Sequence, residues 1–129
     1  MYMQSRRRFA GAFALMAIAW WTTEAAHALP SGPAANEIES LIDHVSGLTS
    51  ARFRGGRFEV GSANAARFLR HELAAKSDRV SSAEEFIRWC ATRSDDTGRT
   101  YEVLLPGGVA LPAAEVLLDV LRKVRAKRP

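Results

Sequence analysis

Residues 81–105 read SSAEEFIRWCATRSDDTGRTYEVLL, and the fold is built outward from this stretch. Ser81 with Glu84 fits the capping-box spacing, and Ser82 with Glu85 fits it one register later. In either register a hydroxyl accepts from a free N–H of the first turn while a carboxylate reaches back. A helix therefore starts here. At helical spacing Ala83, Phe86, Ile87 and Cys90 share one face, Glu84, Glu85, Arg88 and Thr92 lie opposite, and Trp89 sits at the edge. The helix is expected to stop near Arg93. Ser94–Gly98, SDDTG, is turn chemistry, with Gly98 free to take positive φ. Thr100–Leu105 then alternates, placing Tyr101, Val103 and Leu105 on one side, as a strand does. Pro106-Gly107-Gly108 ends it.

The chain has 129 residues and a net charge of +4, which fits one domain after a leader. Arg6, Arg7 and Arg8 form a positive start, Phe9 to Trp21 is an apolar or glycine run too short to span a bilayer comfortably, and Ala26-His27-Ala28 is a small-x-small cleavage pattern. Together these predict an export signal over 1–28 with Leu29 as the new N-terminus. Ser5-Arg6-Arg7-Arg8-Phe9 also resembles the twin-arginine export pattern, although Ala10 and Gly11 stand where an apolar residue and a lysine are usual. Both the twin-arginine and the general secretory routes fit. The expected product is periplasmic or secreted, with no transmembrane segment in the mature chain.

Removing 1–28 takes away three arginines and Glu24, so the net charge falls to +2. The basic balance is thus partly a property of the leader and does not point to nucleic acid. The remaining excess crowds the C-terminus, where Arg122, Lys123, Arg125, Lys127 and Arg128 also complement a helix dipole. The single cysteine excludes an intramolecular disulfide. Cys90, on an apolar face with no adjacent base, reads as a buried thiol rather than a nucleophile.

The rest of the chain supplies three more helices. A flexible linker is expected over 29–36, a single domain over 37–125 and a basic tail over 126–129. Asn36 caps a helix whose apolar face is Ile38, Leu41, Ile42 and Val45, with Glu37, Ser40 and His44 on the polar side and Gly47 at its end. Arg52–Val60, RFRGGRFEV, places Gly55-Gly56 between Phe53 and Phe58, as in a hairpin. Ser62 caps a helix over 63–76 with Ala65, Ala66, Leu69 and Leu73 inside. Its Glu72 is expected to pair with Lys76 one turn on. Pro112 opens a last helix, on which Val116 and Leu118 widen the apolar face, fitting either deep burial or a self-association surface. The fold class is α+β, mostly helical: about four helices with a short β-hairpin or two-stranded sheet formed by Phe53/Phe58 and Tyr101–Leu105.

Catalytic and metal motifs do not assemble. Asp95-Asp96 lacks the alternating acids and distal glutamate of a calcium loop. The two histidines and one cysteine after the leader are too far apart for a zinc site, and no glycine pair continues into a phosphate loop. No metal, cofactor or catalytic residue is therefore assigned. The candidate contacts are Arg52, Arg54 and Arg57, Trp89, the loop-tip acids Asp95 and Asp96, and the basic residues Arg122, Lys123 and Arg125. They suit a non-enzymatic envelope domain that binds a protein or an anionic surface, without nucleic acid. One alternative is a small hydrolase of an envelope polymer with Glu72, Glu102 or Asp95/Asp96 as acid and base. Another is an inhibitor that inserts the 94–100 loop into a secreted enzyme.

The order of elements resembles a family of small exported bacterial proteins known only as a domain of unknown function. The resemblance runs from Glu37 to Leu121. It is carried by EIESLIDHV, Phe53 with Gly56-Arg57-Phe58, Ala65-Ala66 with Phe68-Leu69, Ser82-Ala83-Glu84-Glu85-Phe86-Ile87, and Gly98-x-x-Tyr101-x-Val103. Family members often carry histidine at the position of Phe68, a cysteine near Ala51, Asn-Gly in place of Gly55-Gly56 and serines in place of Asp95-Asp96. These are mostly capping, turn and core positions, so the resemblance implies a fold and no activity.

Overall fold

The computed structural model describes residues 29–128. The export-signal reading, over 1–28, lies outside the described residues. In chain order the elements are α1 (Gly32–Gly47), β1 (Arg52–Gly55), β2 (Phe58–Val60), α2 (Ser62–Ala75), a 3-10 turn (Ser77–Arg79), α3 (Ala83–Cys90), β3 (Glu102–Leu104), β4 (Ala110–Pro112) and α4 (Ala113–Ala126). The strands form one antiparallel sheet in the order β2-β1-β3-β4. The α+β, mostly helical class is as read from the sequence.

At α3 the second capping register prevails. Ser82 Oγ accepts from Glu85 N–H at 3.1 Å, and the Glu85 carboxylate accepts from Ser81 N–H at 2.8 Å and Ser81 Oγ–H at 2.6 Å. These bonds hold the Glu85 carboxyl below its usual range. Glu84 is left free to reach another helix. The apolar face then buries Ala83, Phe86, Ile87 and Cys90.

The first helix begins earlier than expected. The segment read as a linker is helical from Gly32, with Ser31, not Asn36, at the N-cap. Pro33 is the reason: in a first turn its missing N–H costs nothing and its φ is already helical. Ala34 and Ala35 then extend the turn with the best helix-forming side chain. Ile38, Leu41, Ile42 and Val45 are buried as read. Glu37, expected on the polar side, is buried as well, for a reason given below.

The hairpin turns at Gly56-Arg57, one residue later than the glycine pair suggested, between the closing pair Gly55 and Phe58. Gly56 takes φ +46. Gly55 is needed for another reason: a Cβ there would lie 2.7 Å from the Tyr101 ring. The expected second strand pairs with β1, setting Phe53 against Val103 and Arg54 against Glu102. The sheet then continues into β4, which the sequence reading missed. Pro106 and Gly107, at φ +90, make a turn in which Gly108 N–H donates to Leu105 O. The chain returns at once, and Leu105 N–H donates to Val109 O while Ala113 N–H donates to Tyr101 O. Three residues are too few to show alternation, and Pro112, read as helix-opening, is both the last residue of β4 and the N-cap of α4. By that alternation Pro112 points to the outer edge, where its missing N–H breaks no ladder bond.

The helices cover one face of the sheet. Phe53, Val60 and Val103 point toward them. Arg52, Arg54, Glu59 and Glu102 point the other way, into solvent. α1 packs against α2, α3 and α4. The apolar centre is closed at one end by ions: Arg125 of α4 donates Nε and Nη2 to the two Glu37 oxygens at 2.9 and 3.0 Å. The same guanidinium donates Nη1 and Nη2 to Glu84 at 2.7 and 3.0 Å, and Arg128 adds a further bond to Glu37. This is why Glu37 can be buried. The hydrogen bonds from Arg125 outweigh burial and hold the Glu37 carboxyl below its usual range; Glu84 is lowered by the same guanidinium. Arg125 itself is pushed up.

Two outcomes follow from this packing. Ser82→Ala should lower stability by about 1 kcal/mol and the melting temperature by about 4–8 °C for a domain of this size, read by circular dichroism. Glu37 and Glu84 have folded pKa values below their unfolded ones. Their contribution is therefore present above the unfolded value, about 4.3, and is lost as pH falls through the lower folded values. In Arg125→Met that lowering disappears and burial acts on Glu37 with Arg128 alone to oppose it. Urea melts from pH 7 to pH 3 should show a lower neutral plateau and a shallower acid decline than the parent; an unchanged acid slope would exclude the clamp.

Candidate functional site

Two of the carboxylates named for acid–base chemistry do meet, but on a lysine. Glu72 pairs with Lys76 at 2.9 Å, one helical turn on, and Asp95 reaches the same Nζ from the 94–98 turn at 2.6 Å. The third donor bond of Lys76 goes to the Trp89 carbonyl at 2.8 Å. An ammonium has three donors, so all of them are engaged, and Lys76 ties the ends of α2 and α3 to the following loop. Burial disfavours its charge, but the hydrogen bonds to Asp95 and Glu72 outweigh it and its pKa is raised. A lysine in this state is a charged strut rather than a nucleophile. Cys90, behind it, is pushed up to about 11 by burial, so its thiol stays protonated at neutral pH. Burial also raises the Tyr101 hydroxyl, against a hydrogen bond with Ser94.

The 94–98 turn is held to the body at both acids. Ser94 Oγ accepts from Asp96 N–H and Thr97 N–H, Gly98 N–H donates to Ser94 O, and Ser94 N–H donates to Arg99 O. Asp95 is fixed by Lys76, and Asp96 lies 3.6 Å from Arg57 at the hairpin tip. The two loop-tip acids therefore belong to different ion pairs.

The outward face of the sheet gathers the three hairpin arginines, each beside a carboxylate. Arg52 lies 3.3 Å from Glu59 and Arg54 lies 3.1 Å from Glu102. Across one row Glu59, Arg54 and Glu102 alternate in sign on β2, β1 and β3. A groove of about 460 Å³ lies at the end of this face, walled by Arg54, Glu102 and, from the loop, Arg99 and Thr100. Arg99, which the sequence reading did not single out, has no carboxylate partner among the described residues. Beneath the sheet, Phe68 meets Phe58 and Tyr101 edge-on at 5.8 and 5.6 Å. These rings border an apolar cavity of about 50 Å³.

The C-terminal basic residues separate into two groups. Arg125 is the clamp that joins α4 to α1 and α3. Arg122 and Lys123 lie on the surface, both paired with Asp119 at 3.1 and 3.0 Å, whose carboxyl is lowered first by Lys123 and then by Arg122. Trp89 is partly exposed, and the guanidiniums of Arg79 and Arg88 lie 5.2 and 5.6 Å from its ring centroid. Neither arginine was singled out from the sequence. A residue ten positions from a tryptophan leaves no periodic signal, and Arg88 is its chain neighbour, where helical geometry does not predict contact.

Among the described residues no three of His, Cys, Asp and Glu gather in a way that could hold a metal ion, and no helix is long and apolar enough to cross a membrane. No curated protein and no solved structure matches the chain. The model of a family of unknown function, DUF5329, matches residues 33–125, over the same helices, hairpin and capped turn that carried the resemblance, and the chain belongs to that family.

Proposed function

We propose that the chain is an exported accessory domain of the cell envelope that binds a protein partner through the outward face of its sheet. The observation that carries this reading is the alternating row Glu59–Arg54–Glu102, half exposed and flanked by Arg52 and Arg99. A uniformly anionic surface would meet Glu59 and Glu102 together with the arginines. A protein patch of mixed charge can match both signs, which is how polar interfaces set register and exclude wrong partners. The leader supports export: its basic start, apolar run and Ala26-His27-Ala28 pattern form the three parts of a cleavable signal.

The engaged state of Lys76, Glu72 and Asp95 favours this reading over a hydrolase, because an acid or base must exchange a proton with substrate rather than hold a permanent ion pair. The anchoring of Asp95 and Asp96 to the body likewise favours it over a loop-inserting inhibitor.

Two measurements test the proposal. Mass spectrometry of the envelope fraction should find a chain starting at Leu29; retention of a Met1 chain in the cytosol sinks the export reading. A photo-crosslinking residue at Arg99 should capture one discrete protein in cells, and Arg54→Glu should reduce that capture by about tenfold. Capture of the same protein from Leu118, on α4, or its persistence in Arg54→Glu, would place the contact elsewhere.

A further inference from the structure

A second surface, away from the sheet, carries chemistry of its own. A groove of about 720 Å³ runs between the first described residues and the α2–α3 connection, with Ser31, Asp78, Arg79, Glu85 and Trp89 in its walls. Seven of the twelve arginines among the described residues face carboxylates: Arg52, Arg54, Arg57, Arg70, Arg122, Arg125 and Arg128 are all ion-paired. Arg79 and Arg88 face an indole instead. Stacking on the ring orients a guanidinium but does not neutralise it, and leaves its in-plane N–H donors open. Such a fork matches a carboxylate in two parallel hydrogen bonds.

The other walls narrow the ligand. Asp78 has no ion-pair partner among the described residues, and the Ser31 side chain makes no cap bond. Both are open to hydroxyl groups. The Glu85 carboxylate is occupied by Ser81 but keeps its negative charge in the wall. A phosphate dianion bound at Arg79 would be repelled by Asp78 and Glu85 about twice as strongly as a carboxylate, which carries a single charge. A neutral sugar would leave the guanidinium unmatched, and an apolar ligand would leave every polar wall group unsatisfied. A pyranose ring bearing one carboxylate and several hydroxyls satisfies all of them, with its C–H face toward the exposed part of Trp89.

We propose that the Trp89 groove is a binding site for an acidic saccharide, a uronic-acid unit of a polysaccharide. Arg79 takes the carboxylate, Asp78 and Ser31 take ring hydroxyls, Trp89 takes the apolar face of the ring, and Arg88 holds the indole in place. This site is separate from the sheet face, and its test does not depend on export.

The three tryptophans are Trp20, Trp21 and Trp89. In the full chain carrying Trp20→Phe and Trp21→Phe, fluorescence therefore reports Trp89 alone. Titration with trigalacturonate should give a saturable change. Cellotriose, the neutral counterpart, should bind at least about tenfold more weakly, and Arg79→Ser should weaken trigalacturonate by at least about tenfold, the scale of losing a central charged contact. Arg67→Ser, an exposed change on α2, should have no effect. The proposal is overturned by no saturable response to trigalacturonate up to about 10 mM, weaker than any specific site worth naming. It is equally overturned by equal affinity for cellotriose or inorganic phosphate, or by equal weakening in Arg67→Ser. Should Arg79→Ser melt below the parent, Arg79→Lys replaces it: the charge and stem remain, the planar fork is gone, and undiminished binding would count against the proposal.

Discussion

One guanidinium joins three helices that are far apart in the chain. Arg125, near the end of α4, holds Glu37 of α1 and Glu84 of α3 at once, and Glu37 is buried because of it. Removing a carboxylate from water is costly unless its oxygens are matched in geometry and charge. Here both Glu37 oxygens are matched by one fork and Arg128 adds to them. The clamp also explains which capping register α3 adopts. With Glu85 reaching back to Ser81, Glu84 is released to α4. A choice that looks local at residues 81–85 is thus consistent with a contact made at residue 125.

The same contrast between local and distant explains what the sequence revealed. The α3 cap, the Glu72–Lys76 pair, the buried faces and the strand after Gly98 all rest on residues within five positions of one another, and each was legible. Glu37 was misplaced because its partner lies 88 residues away and leaves no periodic trace. β4 was missed because three residues carry too little alternation and Pro112 has two roles. The start of α1 was misjudged because Asn36 and Glu39 form a plausible cap, while the stronger instruction came from Pro33 followed by two alanines. Of the candidate contacts, the hairpin arginines and Trp89 lie on the surface, whereas Arg125, itself still exposed, is committed to the buried Glu37 and to Glu84. The arginines that stack on Trp89 and the one that faces the groove beside Arg54 could be recognised only in three dimensions.

The surface chemistry divides along this line. Charges that face carboxylates, on the sheet and around Asp119, form a patterned but nearly balanced surface suited to recognising shape and register. The charges beside Trp89 are local and of both signs, with Arg79 and Arg88 at the indole and Asp78 and Glu85 in the groove wall. The polar centre at Lys76 serves neither purpose. It gathers Glu72 and Asp95 into a joint between α2, α3 and the loop that follows.

The outward-facing proline at the end of β4 has a consequence for behaviour in concentrated surroundings. A free strand edge is a template on which another chain can lay itself, and a three-residue strand offers little of it. At β4 one of the outward donor positions is already missing, and the strand runs directly into a helix that blocks extension. At this edge the sheet resists propagating from one copy of the protein to the next.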